Sequence, residues 1–299
     1  MNIIIGTRGS RLALLQTNEI IDKLKQAYPW HTYQIKVIST HGDQNQRARL
    51  DQMHTSGIFI KEIEQQLLDH RIDLAIHSMK DLPARLANGL CLGDVMIRED
   101  SRDVLVLREA NDLMDVKPHA IIATGSKRRK YQLLELRDDL EIVSIRGNID
   151  TRLRKMEEEG LDGIVVAAAA MHRLGLQDRI SAYFSELEMI PATTQGALAI
   201  ELREEDEELM AMIHAVSNEM DTRETSIERE FLYLMNGGCH TPIGARCHID
   251  RDMVYLLCVY GREDGSHLCK KLFQVPLEKE QELAMLAAQD MKKEDEADG

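Results

Sequence analysis

Short apolar runs alternate with longer helical patterns through the first two-thirds of this 299-residue chain, and that alternation narrows the possible folds more than any other feature. Residues 2–6 read as a strand and 10–26 as a helix, with Leu14, Thr17, Ile21 and Leu24 recurring on one face. A strand over 34–39, a helix over 58–69 and a strand over 72–77 follow, and Pro83 stops whatever comes next. The pattern resumes as strands 103–107 and 120–124, helix 127–136, strand 141–145, helix 151–159 and strand 163–167. Strands connected through helices imply parallel sheets covered by helices.

The last third changes character. A helix over about 223–235 runs into Asn236-Gly237-Gly238, a strong stop signal that leaves Cys239 on a loop. Strands over 245–249, 254–260 and 271–277 and a closing helix over 278–291 predict a small α+β domain with an antiparallel sheet. No repeat or low-complexity linker marks the domain boundaries.

With 43% hydrophobic residues the chain has enough apolar material for two or three cores. No apolar run approaches the roughly 18 residues of a membrane span, and Ile3 to Ile5 is far shorter than a signal-peptide core, so the chain reads as cytosolic with no membrane partner. Five cysteines, at 91, 239, 247, 258 and 269, are expected as reduced thiols. Cys239-His240 and Cys247-His248 raise a zinc reading, but adjacent residues diverge and the spacing fits no common zinc signature, so no metal is expected. A formal net charge of −14 argues against a nucleic-acid partner. The acidic runs 157–159, 204–208 and 294–298 read as solvated helix faces and a frayed terminus.

Against that acidic background, three cationic turns share one design. Arg8-Gly9-Ser10 leaves a strand and opens a helix, Gly125-Ser126-Lys127-Arg128-Arg129 does the same, and Arg146-Gly147-Asn148 precedes a helix carrying Arg152. A helix N-terminus presents unpaired N–H groups and about half a positive charge, so glycine, a small polar residue and arginine there make an anion site. Arginine suits carboxylates, which it grips with two parallel hydrogen bonds. Each arginine alone is more often a surface cation or a structural ion pair; the shared strand–turn–helix context favours an anionic ligand without specifying which. His77-Ser78-Met79-Lys80-Asp81-Leu82-Pro83 follows an apolar strand, where its Lys-Asp pair is either a site or a solvated turn. Cys239, behind two glycines, is either a small buried hydrophobe or a reactive thiol. The chain has no P-loop, no G-x-G-x-x-G after its first strand, no H-E-x-x-H and no G-x-S-x-G.

Taken together, these strings resemble the hydroxymethylbilane synthase (porphobilinogen deaminase) family along nearly the whole chain. The match runs through Gly6-Thr7-Arg8-Gly9-Ser10, the 77–83 string, Arg128-Arg129, Ser144-Ile145-Arg146-Gly147-Asn148 and Thr151-Arg152-Leu153. It continues through Arg173-Leu174-Gly175-Leu176, Gln195-Gly196-Ala197 and Gly238-Cys239-His240-Thr241-Pro242-Ile243-Gly244, in family order and spacing.

The resemblance implies two α/β domains like those of periplasmic binding proteins with a cleft between them, 1–96 with 197–214 and 97–196. A small α+β domain with a three-stranded antiparallel sheet, 215–299, completes the expected fold. It implies a monomeric transferase of heme and porphyrin biosynthesis that condenses four porphobilinogen molecules head to tail with loss of ammonia. A dipyrromethane cofactor, thioether-linked to Cys239, is the implied primer, and hydrolysis releases the linear tetrapyrrole. By the same resemblance Asp81 is the catalytic carboxylate, and Cys239, Lys80, Ser126, Arg128, Arg129, Arg146 and Gly147 hold the cofactor. Arg8, Ser10, Arg152 and Arg173 hold substrate carboxylates.

Four positions depart from the family pattern. Ser56 stands where many members carry lysine in a glycine-rich loop, Thr194 replaces the glycine before Gln195-Gly196, Gly125 a serine and Leu202 a cysteine. A rival reading, a non-catalytic anionic-solute-binding protein with a two-domain cleft, accounts for the arginines but gives Cys239 no task.

Overall fold

The computed structural model describes residues 1–38, 55–237 and 241–297, with the side chains of 55–59 and 296–297 left out. The described residues form two compact units, Met1–Arg98 with Ala197–Arg223, and Glu99–Gly196 with Glu224–Gly299.

In the first unit, β1 (Asn2–Arg8), α1 (Arg11–Ala27), β2 (Thr32–Ile38), α2 (Thr55–Leu68), β3 (Leu74–Ser78) and β4 (Leu90–Leu92) come from the N-terminal stretch. The sheet order is β2-β1-β3-β10-β4, where β10 (Leu198–Arg203) belongs to the returning segment. β1 runs parallel to β2 and β3, whereas β10 is antiparallel to both β3 and β4. Alternation along the strands divides the core in two. Ile3, Ile5, Leu74 and Ile76 pack with Ile20 and Leu24 of α1, and on the opposite face Ala75 joins Ile63 and Leu67 of α2.

The second unit carries β5 (Asp103–Leu107), β6 (Ile121–Ala123), α3 (Lys127–Leu136), β7 (Glu141–Val143), α4 (Ile149–Glu158), β8 (Gly163–Ala167), α5 (Ala168–Arg173) and β9 (Ala182–Tyr183). Its sheet, β7-β6-β8-β5-β9, is parallel across β7, β6 and β8 and antiparallel at β5. The expectation of parallel sheets is therefore corrected to mixed ones: β10 and β5 run against their neighbours.

Beyond β10 come α6 (Glu207–Ala215) and α7 (Glu219–Leu234), then β11 (Ile243–Asp250), β12 (Met253–Gly261), β13 (Leu268–Pro276) and α8 (Glu280–Ala297). The three strands form the expected antiparallel sheet, whose Cys247, Val254, Leu256 and Cys258 pack on Phe231 of α7 and on Leu283 and Ala287 of α8. α7 ends as its sequence predicts. Asn236 takes φ 51°, Asn236 N–H donates to Tyr233 O and Gly237 N–H to Leu232 O, the paired bonds of a Schellman cap.

Candidate active site

In the first unit the carboxyl ends of β1 and β3 lie side by side. Leaving β1, Ser10 accepts the Ala13 N–H at 3.2 Å and so caps α1. Arg8, half-buried, and exposed Gly9 precede this cap. Leaving β3, Ser78 accepts a hydrogen bond from Gln16 Nε2 of α1 at 2.8 Å, which ties the two strand ends together. The chain then makes a single 3-10 turn over Met79–Asp81. Met79 and Leu82 are buried, and Met79 N–H donates to Ala197 O at 3.0 Å. These apolar anchors leave Lys80 half-buried and Asp81 exposed at the end of the strand. The sheet thus brings Arg8, Ser10, Lys80 and Asp81 to one edge.

In the second unit the parallel strands β6, β7 and β8 deliver the other expected residues to their carboxyl ends, where ligands of open α/β sheets bind. Ser126 caps α3, accepting the Arg129 N–H. Asn148 caps α4 through the Thr151 N–H at 2.9 Å. Arg146 and Gly147 are exposed just before it, Gly147 with φ +121°, and Arg152 Nε donates to Gly147 O at 2.8 Å. Arg173 ends α5 and donates from Nη1 to Gly196 O at 3.1 Å. Gly196 itself is irreplaceable by geometry, since at φ +92° a Cβ would lie 2.0 Å from Glu99 O.

The structure gives Arg128 and Arg129 a partner that sequence reasoning missed. Both turn inward onto Asp103, which is 0% exposed at the start of β5. Arg129 donates from Nε and Nη2 to Asp103 Oδ1 and from Nη1 to Val165 O. Arg128 donates through Nη1 to Asp103 Oδ2 at 2.8 Å and to Ile190 O at 2.6 Å. Gln195 Nε2 adds a bond to Asp103 Oδ1 at 2.9 Å. Burial would raise the Asp103 pKa, yet the Arg128 and Arg129 charges outweigh it and hold the carboxyl far below the usual carboxylate range. The only sequence signal was a polar residue at a strand's first position, with its partners 25 and 26 positions away.

Thr194 adopts φ 60°, the left-handed region that favours glycine. It is 1% exposed, and its N–H donates to Glu228 Oε2 of α7 at 2.6 Å. Glu228 Oε1 also accepts the Cys247 N–H and lies 3.4 Å from Arg246 Nη1. Cys239 and His240 fall outside the described residues, as does the Ser56 side chain. Cys247 is buried whereas His248 is 60% exposed at its side chain, so the two diverge, and among the described residues no group of three metal-ligating side chains converges. No helix among them is long and apolar enough to cross a membrane.

The family model "Porphobilinogen deaminase, dipyromethane cofactor binding domain" matches residues 3–211, and "Porphobilinogen deaminase, C-terminal domain" matches 222–293. The chain belongs to the porphobilinogen deaminase family. A porphobilinogen deaminase of Clostridioides difficile is 47% identical over 98% of both chains, and one of Clostridium novyi is 46% identical over 91% of this chain and 92% of its own. Among solved structures, a periplasmic substrate-binding protein of Coxiella burnetii aligns at 15% identity over 72% of this chain and 91% of that one, with a TM-score of 0.45. Membership of the deaminase family disfavours the solute-binding rival. The deaminase cofactor carries acetate and propionate groups, and the residues present fit it: exposed Arg146 and Gly147 stand at the capped start of α4, beside the capped start of α3.

Proposed function

We propose that this chain is a hydroxymethylbilane synthase, a transferase that condenses four porphobilinogen molecules head to tail, with loss of ammonia, and releases the linear tetrapyrrole by hydrolysis. The family match over both parts of the chain carries the reading. Cys239 is the proposed anchor of the dipyrromethane, which would supply when bound the free pyrrole carbon to which the first substrate is joined, each later one joining the ring added before it. Lys80, Ser126, Arg128, Arg146 and Gly147 are proposed to hold its carboxylates, and Arg8, Ser10, Arg152 and Arg173 those of the substrate. Arg129, whose three guanidinium nitrogens face Asp103 and Val165 O, supports this grip from behind. A three-domain division into 1–96 with 197–214, 97–196 and 215–299, a monomeric state and a cytoplasmic location belong to the same proposal.

Asp81 is the group assigned to the chemistry. Loss of ammonia from the substrate's aminomethyl carbon leaves a pyrrole-stabilised cation whose ring N–H seeks negative charge. A carboxylate about 4 Å away, in an effective dielectric near about 20, contributes roughly 4 kcal/mol. The protonated aminomethyl group leaves as ammonia, and the same carboxylate can take up the proton that the attacked pyrrole carbon releases as its ring regains aromaticity. Exposure of Asp81 on a turn pinned by Met79 and Leu82 supports the role, because the carboxylate is accessible while its backbone is held.

Intact mass tests the reading. The purified protein is expected to exceed its calculated chain mass by one covalent dipyrrole, and Cys239→Ser to match the unmodified chain, since a hydroxyl is a far poorer nucleophile than a thiolate. A wild-type protein at chain mass, or a Ser variant that still carries the dipyrrole, overturns the assignment.

A further inference from the structure

Behind the turn that carries Lys80 and Asp81, the first unit buries two titratable side chains to which the chemistry above gives no task. His77 of β3 is 8% exposed and Glu201 of β10 is 0% exposed. His77 Nε2 lies 3.1 Å from Glu201 Oε2, while Glu201 Oε1 is buried and has no hydrogen-bond partner among the described residues. The strands pair antiparallel, with His77 opposite Ala199 and Ala75 opposite Glu201, so both side chains stand on the sheet face that packs against α2.

From α2, Glu64 Oε1 accepts the Ala87 N–H at 3.3 Å, and burial together with the Glu201 charge raises its pKa, while His77 and Lys61 pull the other way. From β4, the Cys91 thiol is pushed up by burial and by the charges of Glu204, Asp206 and Glu201. On the other flank β1 ends in Arg8.

A carboxylate withdrawn from water is strongly disfavoured unless a neighbour donates to it, and His77 Nε2 stands in place to do so. We propose that this buried hydrogen bond makes His77 and Glu201 positioning residues for the turn Met79–Asp81. The inference rests on the role given to Asp81 above. The bond fastens the side chains of β3 and β10 together just before the chain leaves the strand, beside the bonds from Gln16 to Ser78 and from Met79 to Ala197. Removal of the His77 donor leaves a lone buried carboxylate, and the turn shifts; a displacement of about 1 Å at reacting groups costs up to roughly a hundredfold in rate.

The test measures kcat and KM on the purified, cofactor-bearing wild type, His77→Asn, Glu201→Gln and Asp81→Asn, with thermal unfolding of each. His77→Asn is expected to lower kcat about tenfold or more with KM changed less than about threefold, at temperatures well below its unfolding midpoint. Glu201→Gln, which keeps an oxygen acceptor for His77, is expected to hold kcat within about threefold of wild type. A His77→Asn kcat within about twofold of wild type overturns the proposal, as does a Glu201→Gln that loses kcat as far as His77→Asn does. Where His77→Asn does not fold, Glu201→Ala takes its place under the same criterion. Near-normal turnover of Asp81→Asn overturns the reading of the site itself, and the positioning role with it; low turnover there with wild-type kcat in His77→Asn overturns the positioning role alone.

Discussion

Arg129 Nη2 lies 2.7 Å from Asp103 Oδ1 in the interior of the second unit, where Asp103 is 0% exposed. Arg128 grips the other oxygen at 2.8 Å, so one carboxylate organises the start of α3, the helix whose cap is a proposed cofactor contact. Replacing a single member of a buried ion cluster leaves uncompensated charge, which typically costs about 3–5 kcal/mol. Asp103→Asn is therefore expected to lower the urea midpoint sharply and to cut retention of the cofactor, both readable on the purified protein. A midpoint unchanged from wild type would show that the cluster contributes nothing to folding.

Asp81 lies at the opposite extreme of burial. Asp81→Asn keeps shape and removes charge, so the unfolding temperature is expected within about 2 °C of wild type, because exposed substitutions rarely change stability by more than about 0.5 kcal/mol. Turnover is expected to fall about a thousandfold, the equivalent of roughly 4 kcal/mol of lost attraction. Steady-state product formation by the cofactor-bearing variant checks this.

Thr194 holds φ 60° although it is β-branched. A left-handed backbone costs a non-glycine residue roughly 1–2 kcal/mol. In Thr194→Gly, which restores the residue of the family pattern, relief of that strain is offset by loss of the Oγ1 bond to Thr193 O, about 1 kcal/mol, and by the wider freedom of glycine in the unfolded chain, about 0.4–1 kcal/mol. The thermal midpoint is therefore expected within about 4 °C of wild type although a buried side chain is removed.

Glu224 sets an acid limit. Burial alone would raise its carboxyl, but the bond from His248 and the charge and hydrogen bond of Arg246 hold it down at about 2. A depressed folded pKa adds stability that is complete above the ordinary carboxylate value near about 4.5 and is lost as pH falls toward 2. The expected loss across that window is of order 3 kcal/mol. Urea midpoints between pH 6 and pH 2.5 should fall less steeply for Glu224→Gln than for wild type.

Much of the fold was legible because its elements carry local signals. Ser10, Ser126 and Asn148 each precede a helix and each caps it, and Asn236 and Gly237 form the expected cap after α7. β10 was missed because Glu201 and Arg203 interrupt the apolar run of a fully buried strand, and only their partners across the sheet explain their burial. Its antiparallel course was equally hidden, since direction depends on which strand it meets rather than on its own sequence. The site divides the same way. Cationic turns at helix starts announce an anion, whereas the Asp103 cluster joins residues from different strands and helices, and no local pattern encodes it. Thr194 was visible as a departure but its left-handed backbone was not.

β11 lies at the edge of its three-stranded sheet, with helix carboxylates along its open side: Glu228 takes the Cys247 amide at 2.9 Å and Glu224 the Ile249 amide at 3.1 Å. A strand from another molecule approaching this border would find two donors already occupied and would have to displace acid groups that also face Arg246. The border is thereby closed to the backbone-to-backbone stacking through which exposed strands seed aggregates.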